Sequence, residues 1–164
     1  MQSKKHKGTT FTVDIPLKIT DKECNKSDTG FSEKVNLTGV KVLLAEDNEL
    51  NAEITTVQLE EFGIKVERAV DGRNAVEIFR NHPEGTFDVI LMDIMMPEMN
   101  GYEATKAIRA MNDRPDGKTI PIIAMTANSF AEDVQASLNA GMNTHLSKPI
   151  MMDEVIKTIL RYIH

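Results

Sequence analysis

Cysteine and aromatic residues are scarce in this chain. The 164 residues include a single cysteine, Cys24, no tryptophan, and only 5% aromatic residues. One cysteine excludes an intramolecular disulfide and any zinc site built from several cysteines. The fold must therefore depend on an ordinary apolar core, and a hydrophobic content of 41% is sufficient for one domain at this length.

Long apolar runs and an excess of positive charge are also lacking. No run approaches the roughly 18 apolar residues of a membrane span, and the first residues, MQSKKHKGTTF, contain no signal-peptide apolar core. The formal net charge is −6, which argues against a surface that binds nucleic acid. We therefore expect no nucleic-acid partner, no direct membrane contact, and a cytoplasmic location.

Three segments of different character follow one another along the chain. Residues 1–19 contain GTTFTVDIPLKI, whose apolar residues alternate as in a half-buried strand. Residues 20–38 are polar and aperiodic, which is typical of a linker. Residues 39–164 alternate short apolar runs with helical patterns, and we expect the packed domain there.

The alternation in residues 39–164 predicts the fold class. Five short runs, each followed by a helical pattern, read as strands: VKVLLA, IKVERAV, FDVILM, IPIIAM and THLS. Strict alternation of strand and helix implies right-handed crossovers and a parallel sheet with helices on both faces. The prediction is an α/β, doubly wound (βα)5 domain with a five-stranded parallel sheet.

Polar residues follow four of the five predicted strands, and ligand sites of such sheets collect at the carboxyl ends of the strands. In chain order these residues are Glu46, Asp47, Asp93, Thr126 and Lys148. Each residue alone is an ordinary helix cap or surface side chain, since Asp and Thr are favoured caps and lysine stems often lie along apolar surface. Their coincidence at one edge of the sheet predicts a shared pocket.

The chemistry of this pocket favours phosphoryl transfer. Three carboxylates raise one another's pKa and require a compensating cation. Oxygen ligands without histidine or cysteine favour Mg²⁺ over Zn²⁺. Lys148 adds an ammonium suited to a phosphate oxygen, and Thr126 adds a hydroxyl. A metal, a lysine, a hydroxyl and a carboxylate nucleophile are what transfer through an aspartyl phosphate requires.

Four motifs together resemble one family. LLAEDN, ILMDIMMPEMNGYEA, IIAMTAN and LSKPI occur in this order, each at a predicted strand end, and resemble the receiver domain of two-component response regulators. The resemblance covers residues 39–164 and implies a flavodoxin-like sheet with strand order 2-1-3-4-5. It implies a phospho-aspartate switch that accepts a phosphoryl group from a phosphohistidine in a phosphorelay and then changes conformation.

The resemblance also implies a phosphoacceptor and a metal site. Asp93 would accept the phosphoryl group. Asp47 would bind Mg²⁺ directly and Glu46 through water, and Asp93 and the backbone carbonyl of Met95 would complete the protein ligands. Mn²⁺ is the alternative ion. Such a domain would catalyse its own Mg²⁺-dependent phosphorylation and dephosphorylation without being a stand-alone turnover enzyme.

Other residues would hold the phosphoryl group or control its lifetime. Thr126 and Lys148 would bind phosphoryl oxygens, and Ala127 would be the small residue that leaves room for them. Met95 and Asn128 would flank the path of the water that attacks the phosphoryl group.

The switch position departs from the commoner pattern of the family. Three residues before Lys148 the family usually has Tyr or Phe, whose ring moves inward with Thr126, but this chain has His145. An imidazole is less apolar than the ring of Tyr or Phe. Thr126 and His145 would form the switch, with output on the face of the fourth helix, fifth strand and fifth helix. The Lys148–Pro149 peptide bond is expected to be cis.

The amino-terminal segment KGTTFTVDIPLKI resembles the last strand of the ATP-binding domain of a sensor histidine kinase. With the linker and the receiver, it implies the carboxyl-terminal receiver of a hybrid histidine kinase, a class of parent chain that can be anchored in a membrane. The partners would be the phosphohistidine domain of a kinase and a downstream histidine phosphotransfer protein. We expect a monomer or a weak dimer.

Three rival functions fit the residues less well. A phosphohydrolase of the haloacid dehalogenase type needs a second acid two residues after the nucleophile, where this chain has Met95. A flavodoxin-like nucleotide binder needs a Ser/Thr/Gly phosphate loop after the first strand, where AEDNELN places negative charge. A receiver that has lost phosphorylation is disfavoured by the intact set of polar residues.

Overall fold

The structure, a computed structural model, describes residues 2–4, 8–10, 35–127 and 131–163. The chain divides into two compact units, residues 1–33 and residues 34–164. In the smaller unit, β1 (Gln2–Lys4) pairs antiparallel with β2 (Gly8–Thr10). The part of the predicted amino-terminal strand beyond Thr10 lies outside the described residues.

The larger unit is built on a five-stranded parallel sheet. Its strands are β3 (Lys41–Ala45), β4 (Lys65–Ala69), β5 (Val89–Asp93), β6 (Ile122–Thr126) and β7 (Thr144–Ser147). They lie in the order β4-β3-β5-β6-β7, with every neighbouring pair parallel. Counted within this sheet the order is 2-1-3-4-5, and the predicted doubly wound α/β fold is confirmed.

Helices follow the strands and cover both faces of the sheet. They are α1 (Glu49–Glu60), α2 (Gly72–Asn81), α3 (Gly101–Arg109), the 3-10 helix Pro115–Lys118, α4 (Ala131–Ala140) and α5 (Met152–Tyr162). Successive strand residues point to opposite faces, so Val42 packs in one apolar cluster with residues of α1 and α5, while Leu43 packs in another with residues of α2 and α3. None of the helices among the described residues is long and apolar enough to cross a membrane.

The larger unit begins before residue 39, where the sequence pattern placed the start of the packed domain. Its first residue is Lys34. Leu37 is buried, and its N–H donates to the carbonyl oxygen of Phe62 at 2.8 Å. The last residues of the polar segment are thus packed against the end of α1.

Helix α1 leaves most of its large apolar residues exposed. Ala52, Thr55 and Leu59 are its buried residues. The other apolar residues of the helix face solvent, with exposed fractions of 63%, 49% and 53% for Leu50, Ile54 and Val57. The helix therefore presents an apolar outer surface.

The start of α3 is packed closely behind the end of β5. Asn100 caps the helix: its side chain accepts the N–H of Glu103 at 2.9 Å, and the carboxylate of Glu103 accepts the N–H of Asn100 at 3.0 Å. A Cβ atom on Gly101 would clash with the carbonyl oxygen of Asp93 and with the Cα of Ile94. Only glycine lets the loop close this tightly beneath the end of β5.

Replacing Gly101 by alanine is expected to lower the free energy of unfolding by about 2 kcal/mol, because the added methyl group overpacks a site walled by backbone atoms. Urea unfolding followed by circular dichroism measures the loss. Lys106→Ala, an exposed change on the same helix, should stay within about 0.5 kcal/mol of wild type. A Gly101→Ala protein as stable as that control would show that the loop can shift at little cost.

Thr105 carries a buried hydroxyl on α3. The residue has 0% exposure, and among the described residues no group hydrogen-bonds its Oγ1 atom. Since an unsatisfied buried polar group costs about 1–3 kcal/mol, Thr105→Val is expected to raise the free energy of unfolding by about 1 kcal/mol. The hydroxyl of Thr86 donates to the carbonyl oxygen of Pro83 at 2.7 Å, so Thr86→Val should lower it. Destabilisation by both changes would contradict the prediction.

Candidate functional site

The carboxyl ends of four strands bring the predicted residues to one edge of the sheet. Glu46 and Asp47 follow β3, Asp93 ends β5, Thr126 ends β6, and Lys148 follows β7. β3 and β5 are neighbours at the centre of the sheet, as are β5 and β6. The reversal of strand order lies at this centre, where such folds form their ligand sites.

Three of these residues form an acidic cluster. One carboxylate oxygen each from Glu46, Asp47 and Asp93 lies within 4.8 Å of the others. Glu46 and Asp93 are buried, with exposed fractions of 2% and 5%, whereas Asp47 faces solvent. The cluster therefore opens outward on the Asp47 side and is closed below by the sheet.

Lys148 bridges the two buried acids of the cluster. Its Nζ atom donates to Glu46 Oε2 at 2.6 Å and to Asp93 Oδ2 at 2.7 Å. The peptide bond to Pro149 is cis, as predicted. The ammonium group neutralises part of the charge that would otherwise make burial of two carboxylates costly.

Burial and pairing have opposite effects on the pKa values of Asp93 and Lys148. Burial raises the pKa of the Asp93 carboxyl, and the hydrogen bond from Lys148, its charge and the N–H of Met95 oppose that rise only in part. Burial alone would lower the pKa of Lys148, but its hydrogen bonds to Asp93 and Glu46 outweigh this, and the pKa is raised. Asp93 is thus a carboxylate whose ionised form has lost much of its hydration, as a nucleophile requires.

The second oxygen of Asp93 is held by the loop that follows β5. Oδ1 accepts the backbone N–H of Met95 at 3.1 Å. The Met95 side chain itself is 76% exposed. The orientation of Asp93 is therefore fixed at both oxygens, while a flexible apolar side chain lies two residues away at the surface.

The remaining predicted residues lie around the rim. Thr126 is buried, and its carbonyl oxygen accepts the N–H of Lys148 at 2.7 Å. Ala127 is exposed, directly after β6, and His145 is half-buried in β7 opposite Ala124. Asn128 lies outside the described residues.

Two residues that the sequence patterns did not single out hold the acidic cluster. Asn51, in the first turn of α1, donates from Nδ2 to Glu46 Oε1 at 3.1 Å. Arg68, in β4, points its guanidinium at the backbone carbonyls of Glu46 and Asp47. Asn51 was predictable because it lies in the first turn of the helix that follows the strand end. Arg68 gave no local signal, because its role depends on β4 lying next to β3.

A groove runs beside the acidic cluster, between α1 and the segment after β7. Its volume is about 280 Å³, and its lining residues are Glu46, Asn51, Ile54, Thr55, Gln58, Lys148, Pro149 and Ile150. Exposed apolar side chains extend from it along α1, and Met151, 64% exposed, follows at the start of α5. A polar site with an apolar margin is typical of a surface that meets another protein.

Comparison with known proteins gives the family. Residues 42–160 match the family described as the response regulator receiver domain. Among curated relatives, hybrid signal transduction histidine kinase B of Dictyostelium discoideum is 38% identical over 138 residues, covering 79% of this chain and 7% of that protein. The aerobic respiration control sensor protein ArcB of Escherichia coli is 35% identical over 161 residues, covering 98% of this chain and 20% of ArcB. The chain thus spans a small part of these relatives.

Solved structures agree in fold. The receiver domain of the sensor histidine kinase PA1611 from Pseudomonas aeruginosa, which holds a magnesium ion in its active site cleft, is 37% identical, with a TM-score of 0.68 over 77% of this chain and 98% of that one. A chain from the co-crystal of the Saccharomyces cerevisiae phosphotransfer protein Ypd1 with the receiver domain of Ssk1 is 29% identical, with a TM-score of 0.65, covering 75% and 88%. The predicted family is confirmed: this chain belongs to the response regulator receiver domains of two-component signalling, and is related to those of hybrid histidine kinases.

Proposed function

We propose that Asp93 is the phosphoacceptor of this receiver and takes its phosphoryl group from a phosphohistidine. The observation that carries the proposal is the placement of Asp93 between the acidic cluster and the Lys148 ammonium, 2.7 Å away. A phosphorus–oxygen bond to Asp93 forms as the phosphorus–nitrogen bond of the donor breaks, and the electron pair of that bond returns to the imidazole nitrogen.

The acidic cluster fits a hard divalent cation. Its three carboxylates come within 4.8 Å of one another, and no histidine or cysteine belongs to it among the described residues, which favours Mg²⁺, with Mn²⁺ as the alternative. Asp47 would bind the ion directly, Glu46 through water, and Asp93 and the Met95 carbonyl would complete the protein ligands. When bound, the ion supplies neutralisation of the charge that develops on the phosphoryl oxygens. The magnesium in the PA1611 receiver supports this choice.

The other residues of the site would act on the transferred group. Lys148, already within 2.7 Å of Asp93, donates to a phosphoryl oxygen, and the Thr126 hydroxyl donates to a second, with Ala127 leaving the space. By the family resemblance, Met95 and Asn128 would flank the path of attacking water and influence the lifetime of the acyl phosphate. The domain thereby catalyses its own phosphorylation and dephosphorylation.

Phosphorylation would then shift the conformation of the switch. Thr126 moves toward the phosphoryl group, and the His145 ring responds, which changes the face formed by α4, β7 and α5. Because His145 stands where the family usually has Tyr or Phe, we expect a smaller difference between the two states at this ring. His145→Tyr, compared by NMR with and without a phosphoryl mimic, tests this; an unchanged response would contradict it.

The apolar margin of the site would receive the phosphohistidine domain. Leu50, Ile54 and Val57 on α1 are all about half exposed or more, and Met95 and Met151 lie next to the site residues. The Ypd1–Ssk1 complex shows a receiver meeting a phosphotransfer protein, which supports a partner of that kind for this chain. A kinase phosphohistidine domain would be the donor, and a phosphotransfer protein the next acceptor.

The amino-terminal residues 1–19 would be the end of a kinase ATP-binding domain, with residues 20–38 as the linker. The match to ArcB covers 98% of this chain, beyond the receiver itself, and supports a hybrid histidine kinase as the parent. We propose that the receiver is cytoplasmic and is a monomer or a weak dimer.

Incubation with Mg²⁺ and acetyl phosphate, followed by intact-mass measurement, tests the proposed function. We expect a gain of one phosphoryl group that requires Mg²⁺, disappears with a chelator, and is removed by hydroxylamine, which cleaves acyl phosphates. A gain that resists hydroxylamine, or no gain although the protein is folded by circular dichroism, would overturn the proposal.

A further inference from the structure

Arg68 reaches from the edge strand to the backbone that carries two acids of the cluster, Glu46 and Asp47. It lies in β4, opposite Leu44 of β3, and is half-buried. Its Nε and Nη2 atoms each lie 3.4 Å from the carbonyl oxygen of Glu46, and Nη2 also lies 3.4 Å from that of Asp47. One guanidinium thus spans two consecutive peptide groups at the point where the chain leaves the sheet.

The contacts of Arg68 are unusual for a charged residue so near to acids. In the part of the larger unit that the structure describes, its recorded contacts are to carbonyl oxygens, and none of the ion pairs includes it. Strand β4 also contacts Glu46 through its backbone, since the N–H of Glu46 donates to the carbonyl oxygen of Ala69 at 3.1 Å. Strand β4 therefore holds Glu46 through both its N–H and its carbonyl group.

We propose that Arg68 is a positioning residue of the metal site: by holding the carbonyls of Glu46 and Asp47, it fixes the backbone that presents their carboxylates to a divalent cation. The inference rests on the proposed function of the acidic cluster. Because Arg68 binds carbonyl oxygens, it leaves the carboxylate oxygens available to the ion. Outer-shell groups that orient ligands in this way commonly contribute to metal affinity.

The shape of the side chain matters as much as its charge. A guanidinium presents several N–H donors in a rigid fork, whereas the lysine ammonium is a point charge on a flexible stem. A positioning role therefore predicts that lysine cannot replace Arg68. A purely electrostatic role predicts the reverse, since lysine keeps the charge and any neutral residue would remove a cation that repels the metal.

The test is a Mg²⁺ titration of the full chain followed by ¹H–¹⁵N NMR, on wild type, Arg68→Lys and Arg68→Gln. We expect both variants to bind Mg²⁺ about threefold to tenfold more weakly than wild type. Loss of an outer-shell partner commonly costs ~10–100-fold in metal affinity. The smaller loss is expected here because the contacts of Arg68 are 3.4 Å long. Lys65→Gln removes a positive charge from the other end of the same strand and should leave the affinity unchanged. Wild-type affinity in Arg68→Lys, or tighter binding in Arg68→Gln, would overturn the proposal.

A second readout does not depend on the metal. In the metal-free protein, amide hydrogen exchange at Asp47 and Asn48 should be faster in both Arg68 variants than in wild type and in Lys65→Gln. Unchanged exchange there would count against Arg68 even if the affinity fell. If wild type itself fails to bind Mg²⁺, the proposed metal site is wrong, and exchange at these amides still decides whether Arg68 fixes the backbone.

Discussion

Asp93→Asn is expected to reduce the phosphoryl gain from acetyl phosphate below detection, at least about a thousandfold in rate, because loss of a catalytic nucleophile elsewhere costs ~10⁶. Asparagine has nearly the same shape, keeps an oxygen that can accept the Met95 N–H, and lacks only the nucleophilic charge. Intact mass after incubation with Mg²⁺ measures the result. Asp113→Asn, an exposed acid beyond the end of α3, should react like wild type. Equal phosphorylation of Asp93→Asn would move the acceptor to another residue.

Asp93→Asn is also expected to raise the free energy of unfolding of the metal-free protein by about 1 kcal/mol near neutral pH. Such gains are common when a residue that serves function at the expense of stability is replaced. The pKa of Asp93 is raised in the folded protein, so the folded state binds its proton more tightly than the unfolded chain. Wild-type stability should therefore fall as pH rises from the ordinary aspartate value of 3.8 through the raised value. Asparagine removes this fall. Urea unfolding in chelator should show the gain growing from acidic to neutral pH; a loss of stability would mean that the Lys148 contact outweighs burial.

The parallel sheet was predictable because β-α alternation and strand length are local properties of the sequence, whereas its strand order came from the family resemblance. The five runs correspond to β3 through β7, and their chain order then placed the polar strand ends together by topology alone. Asp93 and Lys148 are 55 positions apart and still meet at 2.7 Å, since each stands at the carboxyl end of a strand. In a parallel sheet, the residues that end the strands lie along one edge, however far apart they are in the sequence.

What the sequence could not supply depends on which elements become neighbours. On the outer face of α1, Leu50 is 63% exposed, although apolar residues at helical spacing usually mark a core face. The apolar pattern predicts a helix, but only the packing of neighbouring elements decides which side of the helix is covered. Arg114 is another case: it is buried, and its guanidinium donates to the carbonyl oxygen of His82 at 2.7 Å and pairs with Asp116 at 2.8 Å. Its pairing with Asp116, two residues away, is local, but nothing in the sequence marks its burial, because its carbonyl partner at His82 is brought by the end of α2.

Lys148→Met is expected to destabilise the metal-free protein by about 3 kcal/mol near neutral pH, because it leaves two buried carboxylates without their shared cation. Glu46 and Asp93 have side chains only 3% and 7% exposed, and Lys148 itself is 22% exposed. In wild type the pKa of Lys148 is raised above its ordinary value of 10.5, so its contribution to stability is complete at neutral pH and is lost as pH rises from 10.5 through the raised pKa. In the variant, the Asp93 carboxyl loses the hydrogen bond and the charge of Lys148 that oppose the rise of its pKa, so stability should fall with rising pH already in the acidic range.

Two comparisons separate this effect from a general loss of charge. Lys106→Met, exposed on α3, should change the free energy of unfolding by less than about 0.5 kcal/mol. Added Mg²⁺ should restore more stability to Lys148→Met than it adds to wild type, because a cation bound to the acidic cluster replaces the missing ammonium and stabilises the folded state by mass action. Urea midpoints with and without Mg²⁺ measure both. If the variant loses stability equally at acidic and neutral pH and gains nothing extra from Mg²⁺, the lysine stabilises the fold through its apolar stem, and the charge balance inferred for the site is wrong.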